Sequence, residues 1–484
     1  MNLSELIHAA GAIDGWDAKS DKDIDIKGLS LDSRTIEPGF LFAALPGETV
    51  HGKDFVTKAV ALGAVAILSD QPLTGLDIPV LVTADPHRAL AKMAKTFYPQ
   101  QPENLLAVTG TNGKSSVVEF LRQIWQDVGR DAAAIGTLGI TTQDDRAALG
   151  YTTPDCIRLH QVLQELAVSG VQDCAIEASS HGLVQRRLDG AKFTAAGFTN
   201  LTQDHFDYHE GFEDYFAAKQ RLFLELLPEQ APVVVNVDDA FGASLAKKCQ
   251  RAGLDVWRIG WSGEQIKLLE IQPELEGQQL QIRVQGTEFS VALPLVGEFQ
   301  AANALLALGL ALRTGVAEQQ AVAALSKLSG VRGRLELVAL TADKVPVLVD
   351  FAHTPDGLQK LLQSVRAHTQ NRIILVFGCG GDRDPKKRPL MGEIAKKYAN
   401  LVVVTDDNPR TENPKLIRAA ILNSLPNARE IADRKQAIQA AIEMSQTGDL
   451  IVVAGKGHEQ GQIVGNTVFA FDDADAIREL VEQD

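Results

Sequence analysis

AVTGTNGKSS, Ala107–Ser116, joins an apolar run to a glycine-bearing polar turn and then to residues of helical spacing. LLAVTG before the turn reads as a buried strand, and SVVEFLRQIWQDVG after it reads as a helix. In such a strand–turn–helix unit, backbone N–H groups converge on phosphate oxygens at the positive end of the helix. Lys114 adds a full charge there, and the Ser115 hydroxyl can reach a Mg2+ ion. The expected phosphate loop is Gly110, Thr111, Asn112, Gly113, Lys114, Ser115 and Ser116. Val108 stands where the strict Walker pattern has glycine, so the motif is the shorter G-x-x-G-K-S.

Strand-like runs follow at DCAIEAS, AAGFTN and PVVVNVD, with helix-like segments between them. Strands alternating with helices predict a mostly parallel sheet covered on both faces. Residues 265–295 read as a small antiparallel addition, and AANALLALGLALRTG as the helix after it. On the N-terminal side, FLFAALPG and AVAILSD read as buried strands and PHRALAKMAKTFY as a helix. The Pro-rich YPQQPEN, Tyr98–Asn104, reads as a linker. A second boundary falls near Gly330–Gly333. Beyond it, VPVLVDFA, RIILVFGCGG, LVVVTDDNPR and LIVVAGKGH each end in a glycine or polar turn, as in a second doubly wound domain. The expected class is α/β in three domains. These are a small N-terminal α/β domain over 1–101, a central P-loop ATPase with a parallel sheet over 102–331, and a C-terminal Rossmann-like domain over 332–484.

The chain of 484 residues is too long for one core. With 45% hydrophobic and 23% charged residues it is neither disordered nor fibrous. A net charge of −15 and the lack of a Lys/Arg run argue against nucleic acid as a partner. Cys156, Cys174, Cys249 and Cys379 are scattered, so no disulfide framework or zinc cluster is signalled. Met1–Gly15 has no basic n-region, and no apolar run is long enough for a membrane span. A cytoplasmic protein is expected.

Further polar clusters lie at strand ends. In IEASSHGLVQRR, Ile176–Arg187, the Glu177 carboxylate closes an apolar strand, where it can take Mg2+. Ser179, His181, Gln185 and Arg187 crowd beside it. FTNLTQDHFDYH, Phe198–His209, gathers Asp204, His205, Asp207 and His209, a density that suits metal or phosphate. Lys219 in DYFAAKQRLF reads from pattern alone as a surface lysine. DFAHTPD (Asp350–Asp356), GCGGDRD (Gly378–Asp384), DDNPR (Asp406–Arg410) and GKGHE (Gly455–Glu459) each follow a strand. Four such turns on one sheet edge predict a binding crevice. Arg383 and Arg410 suit bidentate contact with carboxylates, and Asp350 suits a ribose hydroxyl.

GTNGKSS, EASSHGL, NLTQDHFDYH, AAKQRLF, GEFQAANALLAL, GRLE, DFAHTPD and GKGHE occur in the order seen in the Mur ligase family, which the chain resembles over essentially its whole length. LDSR, TTPD, SSHGLVQRR, FGCGGDRD and DDNPR resemble the branch that adds 2,6-diaminopimelate as the third stem residue of peptidoglycan. The resemblance implies three substrates: ATP, UDP-N-acetylmuramoyl-L-alanyl-D-glutamate and meso-diaminopimelate, with Mg2+ as cofactor. It implies that Leu31, Ser33 and the Glu48, Thr49, Val50 turn contact the UDP portion. Thr152, Thr153, Ser179, Gln185 and Arg187 would hold the muramoyl-dipeptide. Asn303, Arg334 and Asp350 would contact the nucleotide. Arg383, Asp407, Asn408, Pro409, Arg410, Gly455 and Glu459 would hold diaminopimelate. Lys114, Glu177, His205 and Lys219 would be catalytic, with Ser115, Glu177, His205 and a carbamylated Lys219 around the metal. The serine pair at 115–116 and Gln300 depart from the commoner Thr-Thr and Asn, but a hydroxyl is kept at 115. The implied chemistry is carboxyl activation by ATP to an acyl phosphate, which the incoming amine then attacks. A lysine-adding sister ligase and a folylpolyglutamate-synthase-like ligase are the near alternatives, and a nucleotide-gated binding module is the distant one.

Overall fold

The computed structural model describes residues 1–11, 13–14, 24–47, 50–143, 146–147, 149, 152–202 and 208–482. The chain divides into two compact units. One comprises Met1–Lys114, Trp125–Val235 and Asp239–Trp257, and the other Ser115–Ile124, Asn236–Asp238 and Arg258–Asp484.

In the first unit, Gly28–Ser30, Phe40–Ala44, Ala66–Ser69 and Val80–Val82 form a parallel sheet in sequence order. Leu3 and Leu6 of the helix Leu3–Ala10, and Leu90 and Met93 of Pro86–Phe97, cover one face against Leu29, Leu41 and Leu68. Pro86–Phe97 starts where it does because the Asp85 carboxylate accepts the Arg88 N–H at 3.1 Å and proline occupies the first turn. A larger sheet follows, in the order Pro232–Asn236, Ala195–Phe198, Asn104–Thr109, Asp173–Glu177, Ala132–Gly136. These five strands are parallel, and two short antiparallel strands, Gly139–Thr141 and Arg146–Ala147, finish the edge. Asn104–Thr109 sits in the middle, so the loop after it opens at the carboxyl ends of both neighbours.

In the second unit, Ile266–Pro273, Gln278–Val284 and Thr287–Leu293 form the expected antiparallel meander. The Ala/Leu-rich helix Glu298–Arg313 is apolar on nearly every side and correspondingly buried. The last sheet runs Glu336–Leu340, Pro346–Asp350, Leu450–Ala454, Ile373–Phe377, Leu401–Val404, Arg429–Glu430. All but the antiparallel first strand are parallel. Alternate residues face two cores: Leu348, Leu375 and Val452 lie in one, and Val347, Ile374 and Val453 in the other. The four polar turns therefore leave the same edge of one sheet, as their sequences suggest. The four cysteines are free and buried. Among the described residues no helix is long and apolar enough to cross a membrane.

Candidate functional site

The loop after Asn104–Thr109 is set by its neighbours rather than by its own glycines alone. Gly110 has φ +146°, and a Cβ there would lie 1.9 Å from the Thr199 hydroxyl, so no larger residue fits. The Thr111 N–H donates to Asn200 O at 2.9 Å and the Asn112 N–H to Asn200 Oδ1 at 3.1 Å. Thr199 Oγ1 donates to Asn112 O at 2.6 Å. The helix Lys114–Asp127 begins two residues earlier than the sequence pattern suggests. Lys114 Nζ folds over the loop, donating to Gly110 O at 3.1 Å and Thr111 O at 2.7 Å.

Glu177 ends the strand next to the loop strand, paired with Val108, and is 1% exposed. Its carboxylate accepts the Thr137 N–H at 2.8 Å. Gly136 leaves the space: a Cβ there would meet Glu177 Oε1 at 2.0 Å. All five residues expected to hold the dipeptide join Glu177 in one network, Thr152 through Thr137 on the carboxylate and the other four through the Glu177 backbone carbonyl. Thr137 Oγ1 lies 3.1 Å from Thr152 Oγ1. Thr153 Oγ1 donates to Glu177 O at 2.8 Å and lies 3.0 Å from Ser179 Oγ. Arg187 reaches Thr153 O at 2.7 Å and Gln185 Oε1 at 2.6 Å. Thr153 (1% exposed), through its hydroxyl and its carbonyl, thus links Glu177, Ser179 and Arg187. Leu31 and Ser33 follow the strand Gly28–Ser30, where Leu31 packs on the N-terminal core and Ser33 is buried. Val50 is exposed, and Glu48 and Thr49 lie outside the described residues.

Lys219 corrects the pattern-based reading of a surface lysine. It is 1% exposed in the helix Phe212–Leu224, and its Nζ donates to Gly110 O at 2.7 Å. The ammonium also lies 4.3 Å from the centre of the Tyr215 ring. Tyr215 in turn donates to Thr111 Oγ1 at 3.3 Å, so one helix face tethers the first two residues of the loop. Tyr215→Phe removes that donor. We expect about a fivefold rise in the KM for ATP, the size of one neutral hydrogen bond, with kcat little changed. An unaltered KM would assign the hydroxyl no part in holding the loop. His209 is buried, and its Nδ1 lies 2.9 Å from Asp214 Oδ2. Asp204, His205 and Asp207 lie outside the described residues.

The metal expectation can be tested on donor chemistry. Among the described residues no group of three or more His, Cys, Asp or Glu side chains is arranged to hold a metal ion. A buried carboxylate on Glu177 and a hydroxyl on Ser115 are hard oxygen donors of the kind Mg2+ takes when phosphates complete its shell. Among the described residues, the Glu177 carboxylate fits a share in an Mg2+ shell that phosphate oxygens would complete.

In the second unit the residues expected to contact the nucleotide also come together. Asn303 Nδ2 donates to Gln300 Oε1 at 3.0 Å, and Gln300 Nε2 to Arg334 O at 3.4 Å. The Arg334 guanidinium lies 4.9 Å from the Phe351 ring centre. The Asp350 carboxylate accepts the Leu335 and Ala352 N–H groups, both at 2.8 Å. Burial pushes its carboxyl above the usual range, against the Arg334 charge and these two bonds.

The Asp407–Arg410 and Gly455–Glu459 turns meet. Asn408 Nδ2 donates to Glu459 Oε2 at 2.7 Å. A Cβ on Gly455 would lie 2.6 Å from Asp407 Oδ2. Beneath Ala454, the fully buried Arg434 and Asp473 form a two-bond pair at 2.6 and 2.7 Å, and Arg434 also donates to Ala454 O at 3.1 Å. Arg410 Nη1 donates to Gly381 O at 2.8 Å. Arg383 is exposed and donates to Asp382 O at 3.4 Å. The Thr411 hydroxyl and N–H hold the Asp382 carboxyl below the usual range. Sequence reasoning missed Thr137, Gly136, Tyr215, Gln462 and the hairpin that carries Gln462. The two-residue Gly465–Asn466 loop between Val464 and Thr467 is the signal that could have revealed the hairpin.

Comparison with known proteins identifies the family. The Mur ligase family catalytic domain matches residues 25–98, the Mur ligase middle domain 108–311, and the Mur ligase glutamate ligase domain 333–457. A protein of Mesorhizobium japonicum named UDP-N-acetylmuramoyl-L-alanyl-D-glutamate–2,6-diaminopimelate ligase is 47% identical, covering 95% of this chain and 96% of its own. A Brucella melitensis protein of the same name is 50% identical over 93% of each chain. A solved structure with that name superposes with a TM-score of 0.75 at 32% identity, covering 100% of this chain and 99% of its own. A Mycobacterium tuberculosis folylpolyglutamate synthase superposes at 0.61 with 19% identity, covering 82% of this chain and 95% of its own, which shows a common fold and nothing finer. The chain belongs to the Mur ligase family and has its three-domain α/β fold.

Proposed function

We propose that the chain is an ATP-dependent acid–amino-acid ligase. It joins meso-2,6-diaminopimelate to the D-Glu carboxylate of UDP-N-acetylmuramoyl-L-alanyl-D-glutamate in peptidoglycan synthesis. The observation that carries this reading is near-half identity, over almost the full chain, to proteins named for that reaction. The substrate carboxylate attacks the γ-phosphorus of ATP, ADP leaves, and an acyl phosphate forms. The amine of diaminopimelate attacks the acyl carbon, loses a proton, and phosphate departs. Lys114 and the loop Gly110–Ser116 bind the phosphates and offset charge on the transferring group. Thr152, Thr153, Ser179, Gln185 and Arg187 orient the muramoyl-dipeptide, with Leu31, Ser33 and Glu48–Val50 on the UDP sugar. Asn303, Arg334 and Asp350 contact the nucleotide. Arg383, Asp407–Arg410, Gly455 and Glu459 receive the amino acid. Ser115, Glu177, His205 and a carbamylated Lys219 are the residues we assign to Mg2+, which when bound neutralises phosphate charge. We assign the sugar, ATP and amino-acid roles to residues 1–101, 102–331 and 332–484, and place the reaction in the cytoplasm, where ATP is available.

The test is product mass spectrometry with ATP, Mg2+, the UDP-dipeptide and a panel of amino acids. The expected result is one ligated product, that of diaminopimelate, with phosphate release that requires both co-substrates. Phosphate release without an amino acid, or lysine ligated as fast as diaminopimelate, would overturn the reading.

A further inference from the structure

We propose that Gln462 is a positioning residue for the amino-acid-binding turn, acting from the hairpin Gly461–Val464/Thr467–Ala470. The inference rests on reading Asp407–Arg410 as the turn that receives diaminopimelate. The hairpin runs alongside that turn as an added strand. The Arg410 N–H donates to Ile463 O at 3.0 Å, the Gly465 N–H to Arg410 O at 2.6 Å, and Arg410 pairs with Val464 as a parallel bridge. The Ile463 N–H donates to Asn408 Oδ1 at 2.9 Å. Gln462 is the hairpin side chain that enters the turn: its Nε2 donates to Asp407 O at 2.8 Å and, more weakly, to Asp406 O at 3.5 Å.

Two features explain why such a clamp is needed. Arg410 has φ +50°, a left-handed conformation that a residue with a Cβ keeps only when its surroundings over-determine it. The hairpin itself is nearly all exposed from Val464 to Ala470, so its own burial does little to fix it. Its base is fixed instead by Lys456, which is fully buried and donates to Gly461 O at 2.5 Å and Glu459 Oε2 at 3.4 Å. With the Asn408–Glu459 bond, these contacts close a ring that makes the two turns one rigid body. Gln462 is itself outside the set assigned to the amino acid and acts on that set through the Asp407 carbonyl.

The donor logic gives a specific test on the full chain. Gln462→Glu keeps the length but loses the N–H, and sets a carboxylate against two carbonyl oxygens. Gln462→Ala loses the bond without the repulsion. We expect the KM for diaminopimelate to rise about tenfold for the glutamate variant and about threefold for the alanine variant, the range of one hydrogen bond lost with and without repulsion. The KM values for ATP and the UDP-dipeptide and the unfolding temperature should not move. A glutamate variant with an unchanged KM for diaminopimelate, or with all three KM values raised alike, overturns the inference while leaving the functional reading intact. If the unmodified protein ligates no diaminopimelate, the reading fails and the inference falls with it.

Discussion

Replacing Lys219 with alanine should reduce ligation by roughly 10²–10³-fold, the range for losing one preorganised charged group at a phosphoryl-transfer site. The structural reason is local. Lys219 and Lys114 both direct Nζ to the same acceptor, Gly110 O, at 2.7 and 3.1 Å. Two ammonium groups on one carbonyl oxygen repel each other, and the closer one is 1% exposed. Loss of a proton from the Lys219 ammonium, attack of the resulting amine on carbon dioxide and loss of a second proton would convert it to a carbamate anion. The like pair would become an opposite pair, and the carbamate nitrogen would keep one N–H for Gly110 O. Lys219→Ala leaves a void lined by the Tyr215 ring, so added short carboxylic acids should restore part of the activity. Lys219→Arg keeps a cation but cannot form the carbamate, and should be neither active nor rescued. Near-normal turnover by either variant would sink the carbamate assignment.

Much of this was legible because the decisive residues sit where the chain changes period. The phosphate loop lies between an apolar run and a helical pattern, and Glu177 closes a strand of five buried residues. The four C-terminal turns follow runs buried on both faces, so their common edge follows from parallel order alone. What was not legible depends on contacts distant in sequence. Gly136 matters because of Glu177, 41 residues on, and a glycine between Ile135 and Thr137 carries no mark of that. Lys219 looked like a surface residue because helix periodicity says nothing about a carbonyl approaching from Gly110. The hairpin was missed for the opposite reason. Val468 and Phe469 are 66% and 55% exposed, so its apolar residues do not report a buried face. Arg434 and Asp473, 39 residues apart, had no sequence signal of their pairing.

The unmodified protein should prefer meso-diaminopimelate to L-lysine by at least about a hundredfold. The two amino acids differ at the distal carbon, where diaminopimelate has a carboxylate and lysine a hydrogen. Arg410 is half-buried and held from both sides: Pro409 stiffens the turn before it, and its own N–H and C=O are paired with Ile463 and Gly465 at 3.0 and 2.6 Å. Its guanidinium has five donors, and among the described residues one is engaged, by Gly381 O at 2.8 Å. A planar fork fixed in this way matches a second carboxylate with two parallel bonds, which a lysine side chain cannot return. Covering a desolvated guanidinium without giving it a partner costs about 3 kcal/mol, the low end for a broken buried pair and the right end for a half-buried group. That figure sets the hundredfold ratio. Arg410→Ala should raise the KM for diaminopimelate, leave that for ATP unchanged, and bring the two amino acids close together in direct competition. Equal use of lysine and diaminopimelate by the unmodified protein, or a variant that keeps the full preference, would remove Arg410 from the specificity site.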